Sequence, residues 1–156
     1  MEIMPMQAII FGSIPESILI LWAGLMLMGI KPQIKKVVVV GILQGVSVYF
    51  IRKYMDFGPH MIATTLSLII YTYIFIRVKW SVAIFSVMVP CIIVTIVEGS
   101  LMIFTDANFV YIWSSNWLRL LYLLPHEIIL GFIIYIGYKE DISLCNEFTW
   151  LEKIAG

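Results

Sequence analysis

Glu16, Glu98 and Glu127 stand inside stretches of the chain that are otherwise apolar enough to cross a bilayer. A carboxylate near the centre of a membrane helix costs about 2.5–3.5 kcal/mol on insertion scales. It persists where it faces a bundle interior, a wet cavity or a partner, so each of these glutamates is a site candidate. Carboxylates at that depth must be paired, protonated or hydrated, since burial disfavours their charged form and a nearby cation restores it. The groups able to complement them are Arg52, Arg119, His60 and His126. Such a set can hold a ligand or an ion, or can fix helix register as an internal ion-pair cluster.

Signatures of catalysis are absent from the sequence. It contains no HExxH, no GxSxG, no phosphate-cradling glycine loop and no CxxC. His126 and Glu127 are adjacent and point about 100° apart on a helix, and no other His, Cys or Glu pair has ligand spacing on one helical face. Cys91 lies mid-span, away from His60. No catalytic residue, metal or cofactor is expected, and the chain is read as non-enzymatic.

Composition places these residues in a membrane. Of the 156 residues, 62% are hydrophobic and 13% charged, and the mean hydropathy is +1.00. Soluble domains carry about 25% charged residues. The formal net charge is zero, which leaves no basic face for nucleic acid. Cys91 and Cys145 form no disulfide framework. The N-terminus lacks the Lys/Arg-rich start of a cleaved signal, so the first span is expected to stay.

The elements that must position the site are all-α. A span needs about 20 apolar residues, and about five candidates approach that length. They run from about Ala8 to Ile30, Ile34 to Ile51, Met61 to Ile76, Trp80 to Phe104, and Trp117 to Tyr138. The second and third are the short ones. Residues 1–138 thus read as a transmembrane helical bundle in the lipid bilayer, and 139–156 as a cytoplasmic tail. In that tail Leu144, Phe148, Leu151 and Ala155 recur at helical spacing, predicting a short amphipathic helix. Phe148, Trp150 and Leu151 are its candidates for docking a partner.

Lys31, Lys35, Lys36, Arg77, Lys79 and Lys139 lie on one side of these spans, against Arg52, Lys53 and Arg119 on the other. The positive-inside rule then sets the N-terminus outside and the C-terminus in the cytoplasm of a multi-pass cell-membrane protein. At about 1.5 Å per residue, Glu16, Glu98 and Glu127 lie about 12, 9 and 15 Å below the outer boundary. All three fall in the outer half, at the end that carries Arg52, Lys53, Arg119, His60 and His126. The expectation is an outward-opening polar pocket among spans one, four and five, closed by the loop from Arg52 to His60.

Pro15, Pro90 and Pro125 are each expected to kink a span. Gly41-Ile42-Leu43-Gln44-Gly45 is a small-xxx-small motif, with Gln44 able to bond across helices. It predicts close packing of the second span, either within the subunit or in a homo-oligomer.

Ile14-Pro15-Glu16, the Lys-rich first loop, Tyr49-Phe50-Ile51-Arg52, Gly58-Pro59-His60, Glu98, and Asn116-Trp117 leading to Pro125 appear in this order. That order resembles the membrane regions of quorum-sensing histidine kinases of low-GC Gram-positive bacteria, and related small stand-alone membrane proteins. The resemblance implies a bundle that receives an external signal. These residues include no phospho-accepting histidine segment or nucleotide-binding domain, so it implies a sensor or regulatory module without its own output. The expected partners are a membrane protein and a small-molecule or peptide ligand. Two other functions stay open: a small transporter or channel component, and a structural assembly subunit.

Overall fold

The computed structural model describes residues 12–55, 58–105 and 116–140, with side chains described for all but 105, 116–120 and 140. The described residues are helical apart from short connections. The elements are α1 (Ile14–Leu27), α2 (Ile34–Tyr54), α3 (Pro59–Tyr71) with a π turn at Thr72–Ile76, α4 (Trp80–Thr105) and α5 (Asn116–Glu140). Among the described residues four helices are long and apolar enough to cross a membrane: Ile34–Tyr54, Pro59–Ile76, Trp80–Phe104 and Leu121–Lys139. Helix α1 is apolar and 14 residues long. The chain is an all-helical, polytopic membrane protein.

Span lengths differ from the sequence expectation. The second span is a 21-residue helix that runs on through Arg52 and Lys53. The third reaches 18 residues because its π turn extends it. Helix α1 ends at Leu27, before the Ile30 expected, because a Schellman motif closes it. Gly29, at φ 74°, donates its N–H to Met26 O at 2.9 Å, and Ile30 donates to Leu25 O at 2.8 Å. A left-handed residue of this kind closes the last turn at little cost when it is glycine.

Helix α1 is the hub. It packs on α2, α4 and α5, while α2 packs on α3, α3 on α4, and α4 on α5. Accordingly α1 buries Ser17, Ile20, Leu21, Ala23, Gly24, Leu25 and Met26, whereas the outer helices bury one stripe each. On α5 that stripe includes His126, Leu130 and Gly137, and Ile128, Phe132 and Tyr135 are exposed on other faces. Ile42, Val46 and Phe50 are likewise exposed on α2. In a bilayer these exposed apolar residues meet lipid, and helix association rests on close van der Waals packing rather than on water exclusion.

Two glycine contacts supply that packing. Gly41 and Gly45 of α2 press against Ile18 and Ile14 of α1, leaving no room for a Cβ. Their order shows that α1 and α2 run antiparallel, and the small-xxx-small face is occupied within the chain. Gly24 of α1 lies against the carbonyl oxygen of Ser86 on α4. That carbonyl is the one Pro90 leaves without its i→i−4 donor. Pro90 therefore frees an acceptor, and the absent side chain at Gly24 lets the α1 backbone approach it, a setting for a Cα–H···O contact.

Of the three prolines expected to kink spans, Pro90 and Pro125 lie inside α4 and α5. Pro15 lies in the first turn of α1, directly after the π-helical residues Gly12 and Ser13, so it marks a change of helix type.

Helices α2 and α3 are joined by a polar seam. Gln44 Nε2 donates to Thr64 O at 2.8 Å, and Ser67 Oγ donates to Gln44 Oε1 at 2.9 Å. Ser47 Oγ and Tyr71 OH are 2.7 Å apart. Lys31 Nζ lies 5.7 Å from the centroid of the Tyr138 ring, tying the α1–α2 connection to the end of α5.

Candidate functional site

The register of α1 against α5 sets the level of two glutamates. A Cβ on Gly12 would lie 3.5 Å from Leu123, and one on Gly137 would lie 3.2 Å from Met26. Both pairs share one sequence offset, so the two helices run parallel, and the same offset joins Glu16 to Glu127. These two carboxylates come from the same height in the bundle. Helix α4 runs the other way, with Ser86 beside Gly24 and Glu98 beside His126.

Rotation of α1 aims Glu16 at the remaining members. Gly24 marks the face towards α4 and Met26 the face towards α5. At about 100° per residue, Glu16 falls about 80° from each and between them. It therefore points to the α4–α5 seam. Glu16 is within electrostatic reach of Glu98, Arg52 and Glu127, and Cys91 is within reach of Glu16 as well. Cys91 lies two turns from Glu98 on nearly the same face of α4, and it is a free thiol.

The seam itself is held by α5. His126 Nδ1 lies 3.3 Å from Glu98 Oε1, with the imidazole fully buried and the carboxylate side chain 36% exposed. One turn earlier, Tyr122 OH donates to the backbone carbonyl of Glu98 at 2.9 Å. The His126–Glu98 contact is an ion-pair distance without hydrogen-bond alignment, and neither ring nitrogen of His126 has a hydrogen-bond partner. A buried polar group in that state costs about 1–3 kcal/mol. The imidazole thus retains donor and acceptor capacity next to the Glu98 carboxylate.

Arg52 and Lys53 belong to the last turn of α2 rather than to the loop expected to cap the pocket. Cations there complement the negative end of the helix dipole, so they have a local reason to lie on this side. Lys53 extends over the Tyr54 ring at 5.6 Å from its centroid, while Arg52 is within electrostatic reach of Glu16. Glu16 lies in the first turn of α1, where the dipole favours a negative charge. His60 is buried near the start of α3, with 7% exposure. The side chain of Arg119, the loop around residues 106–115, and the tail residues Phe148, Trp150 and Leu151 lie outside the described residues.

The structure thus brings Glu16, Glu98, Glu127, His126 and Arg52 to one end of the bundle. Gly41, Gln44 and Gly45 serve helix contacts elsewhere on α2. Sequence reading missed Tyr122. Its signal was the i, i+4 spacing to His126, which puts both on one face of α5. Among the described residues no group of three His, Cys, Asp or Glu side chains is arranged to hold a metal ion. The chain matches no protein-family model, no curated protein and no solved structure.

Proposed function

We propose that this chain is a non-enzymatic sensor or regulatory module of the cell membrane. Its intramembrane cluster receives a small ligand, a peptide or a partner membrane protein. The observation that carries the reading is the His126–Glu98 contact between α4 and α5, with Glu16 of α1 within electrostatic reach of Glu98, Arg52 and Glu127. Ionisable residues this deep in a span mark functional sites by default. The cation count puts that end of the bundle outside and the tail of residues 139–156 in the cytoplasm, so the module takes its input from outside and passes it on through the tail.

The resemblance to kinase membrane-sensor regions supports the same role, since those regions receive external signals. The Gly41/Gly45 face packs on Ile18 and Ile14 of the same chain, which argues against that face as an assembly contact. The test is the triple substitution of Glu16, Glu98 and Glu127 by alanine, with partner copurification from detergent and the cellular response both measured. The proposal expects a folded protein that loses both. Retention of both overturns it. A transporter component is the second reading, favoured by the carboxylate–imidazole pair on α4 and α5, a pattern used in proton relays. It predicts substrate uptake into vesicles that depends on Glu98 and His126.

A further inference from the structure

Every charged side chain described at the end of the bundle away from the glutamates is a cation. Lys31, Lys35, Lys36, Arg77, Lys79 and Lys139 lie there, whereas Glu16, Glu98 and Glu127 lie at the other end. Apolar packing gathers these cations around the α1–α2 and α3–α4 connections. Met28 and Val82 are buried together, with Ile30 and Val78 packed against them. Ile30 precedes Lys31, and Val78 lies between Arg77 and Lys79, so the two connections hold their cations side by side. Lys31 Nζ lies over the Tyr138 ring of α5, and Lys139 Nζ lies over that of Tyr135, 5.9 Å from its centroid.

Three of these cations are kept where the local backbone disfavours them. Arg77 has φ 61° and ψ 44°, the left-handed conformation that glycine adopts with least strain. Its N–H bonds to Tyr73 O at 3.2 Å, a contact that a glycine would make equally well. Lys35 and Lys36 stand in the first turn of α2, which has no acidic residue, beside the positive end of the helix dipole. Among the described residues Lys35, Lys36, Arg77 and Lys79 form no ion pair, and Lys35, Arg77 and Lys79 are exposed. Cations held against local preference, with no acid beside them, are set for an anionic partner.

Their level selects that partner. Helices α2 and α4 begin at this end, and α1, the Thr72–Ile76 turn and α5 finish there. Tyr73, Trp80 and Tyr138 are about half exposed, and the first two stack edge to face at 5.2 Å. Such rings settle at the headgroup level of a bilayer, which puts phospholipid phosphates within reach of the cations. An Arg fork takes a phosphate through paired charge-assisted hydrogen bonds, and Lys adds point charge. A zwitterionic headgroup cancels the attraction with its own cation, whereas an anionic one does not. We propose that this end of the bundle, centred on the α1–α2 and α3–α4 connections, binds anionic phospholipid headgroups in preference to zwitterionic ones. The proposal is independent of the glutamate cluster at the other end.

For the test, the full-length chain in neutral detergent micelles is titrated with phosphatidylglycerol or with phosphatidylcholine of the same acyl chains. Binding is read by native mass spectrometry and from the unfolding midpoint. Phosphatidylglycerol should bind at least tenfold more tightly, and sodium phosphate at equal ionic strength should leave the midpoint unchanged. One basic residue near an anionic surface contributes about fivefold. Arg77→Gln with Lys79→Gln, and separately Lys35→Gln with Lys36→Gln, should therefore each cut the preference at least fivefold, in proteins whose helical circular dichroism matches the parent. Arg77→Gly should lower the preference while raising the midpoint in phosphatidylcholine, because it relieves the backbone. Arg77→Lys, which keeps the charge, and Lys53→Gln, at the opposite end, should both retain the preference. Equal binding of the two lipids would leave these cations as topology determinants alone and overturn the proposal. So would an equal loss in Lys53→Gln, a phosphate effect as large as that of phosphatidylglycerol, or an unchanged preference in both glutamine pairs.

Discussion

Replacing Gly24 by alanine tests the packing that places α1, and with it Glu16. The added methyl has no free space, because the Ser86 carbonyl oxygen occupies its position and Pro90 Cγ lies 3.0 Å away. Neither neighbour is a flexible side-chain tip, so α1 and α4 must separate. Overpacking of this kind costs about 1–3 kcal/mol, or about 5- to 150-fold in the folding equilibrium. The assay is reversible unfolding in mixed micelles, followed by circular dichroism. Pro90→Ala supplies the second arm of a double-mutant cycle. It restores an N–H to Ser86 O, straightens α4 and draws that oxygen back into its own helix. The cost of Gly24→Ala should then fall, with a coupling of about 0.5–3 kcal/mol as expected for residues in contact. A Gly24→Ala protein within about 0.5 kcal/mol of the parent, the scatter typical of surface changes, would refute the reasoning. So would an equal cost in both backgrounds.

Other substitutions address the remaining contacts. Tyr122→Phe removes the single bond to the Glu98 carbonyl and should lower stability by about 1 kcal/mol in the same unfolding assay. Gln44→Ala loses the bond to Thr64 and the one from Ser67, and should cost about 1 kcal/mol, at about 0.6 kcal/mol per membrane interhelical bond. Gly41→Leu forces a branched side chain against Ile18 and should destabilise by about 1–3 kcal/mol without changing the oligomeric state measured by light scattering. A change of oligomeric state there would show that the face also serves a second copy.

Much of the architecture was legible in the residues. Apolar runs located the helices, and rise per residue placed the three glutamates at one end of the bundle before any helix rotation was known. Rotation was not legible. Glu16 turns towards the α4–α5 seam because Gly24 and Met26 set the faces of α1, and those contacts are long-range. The central position of α1 was equally hidden, since a hub helix and a lipid-facing helix are both apolar. The early end of α1 could have been read from Gly29 and Pro32. The apolar run to Ile30 concealed it. The reach of the third span depends on the Thr72–Ile76 π turn, for which Tyr-Ile-Phe-Ile gives no local signal. Gly41 and Gly45 announced a close contact without naming the partner, which proved to be Ile18 and Ile14.

The proposed function requires the acid cluster to open to the side on which α1 begins. Glu98→Cys, in a chain with Cys91 and Cys145 replaced by alanine, places one thiol at the seam. Its labelling by a charged, membrane-impermeant thiol reagent is compared between right-side-out and inside-out vesicles. Labelling is expected in right-side-out vesicles, suppressed when His126 and Glu16 are replaced by bulkier apolar residues. Labelling only from the cytoplasmic side, or none from either side in a folded protein, would contradict it.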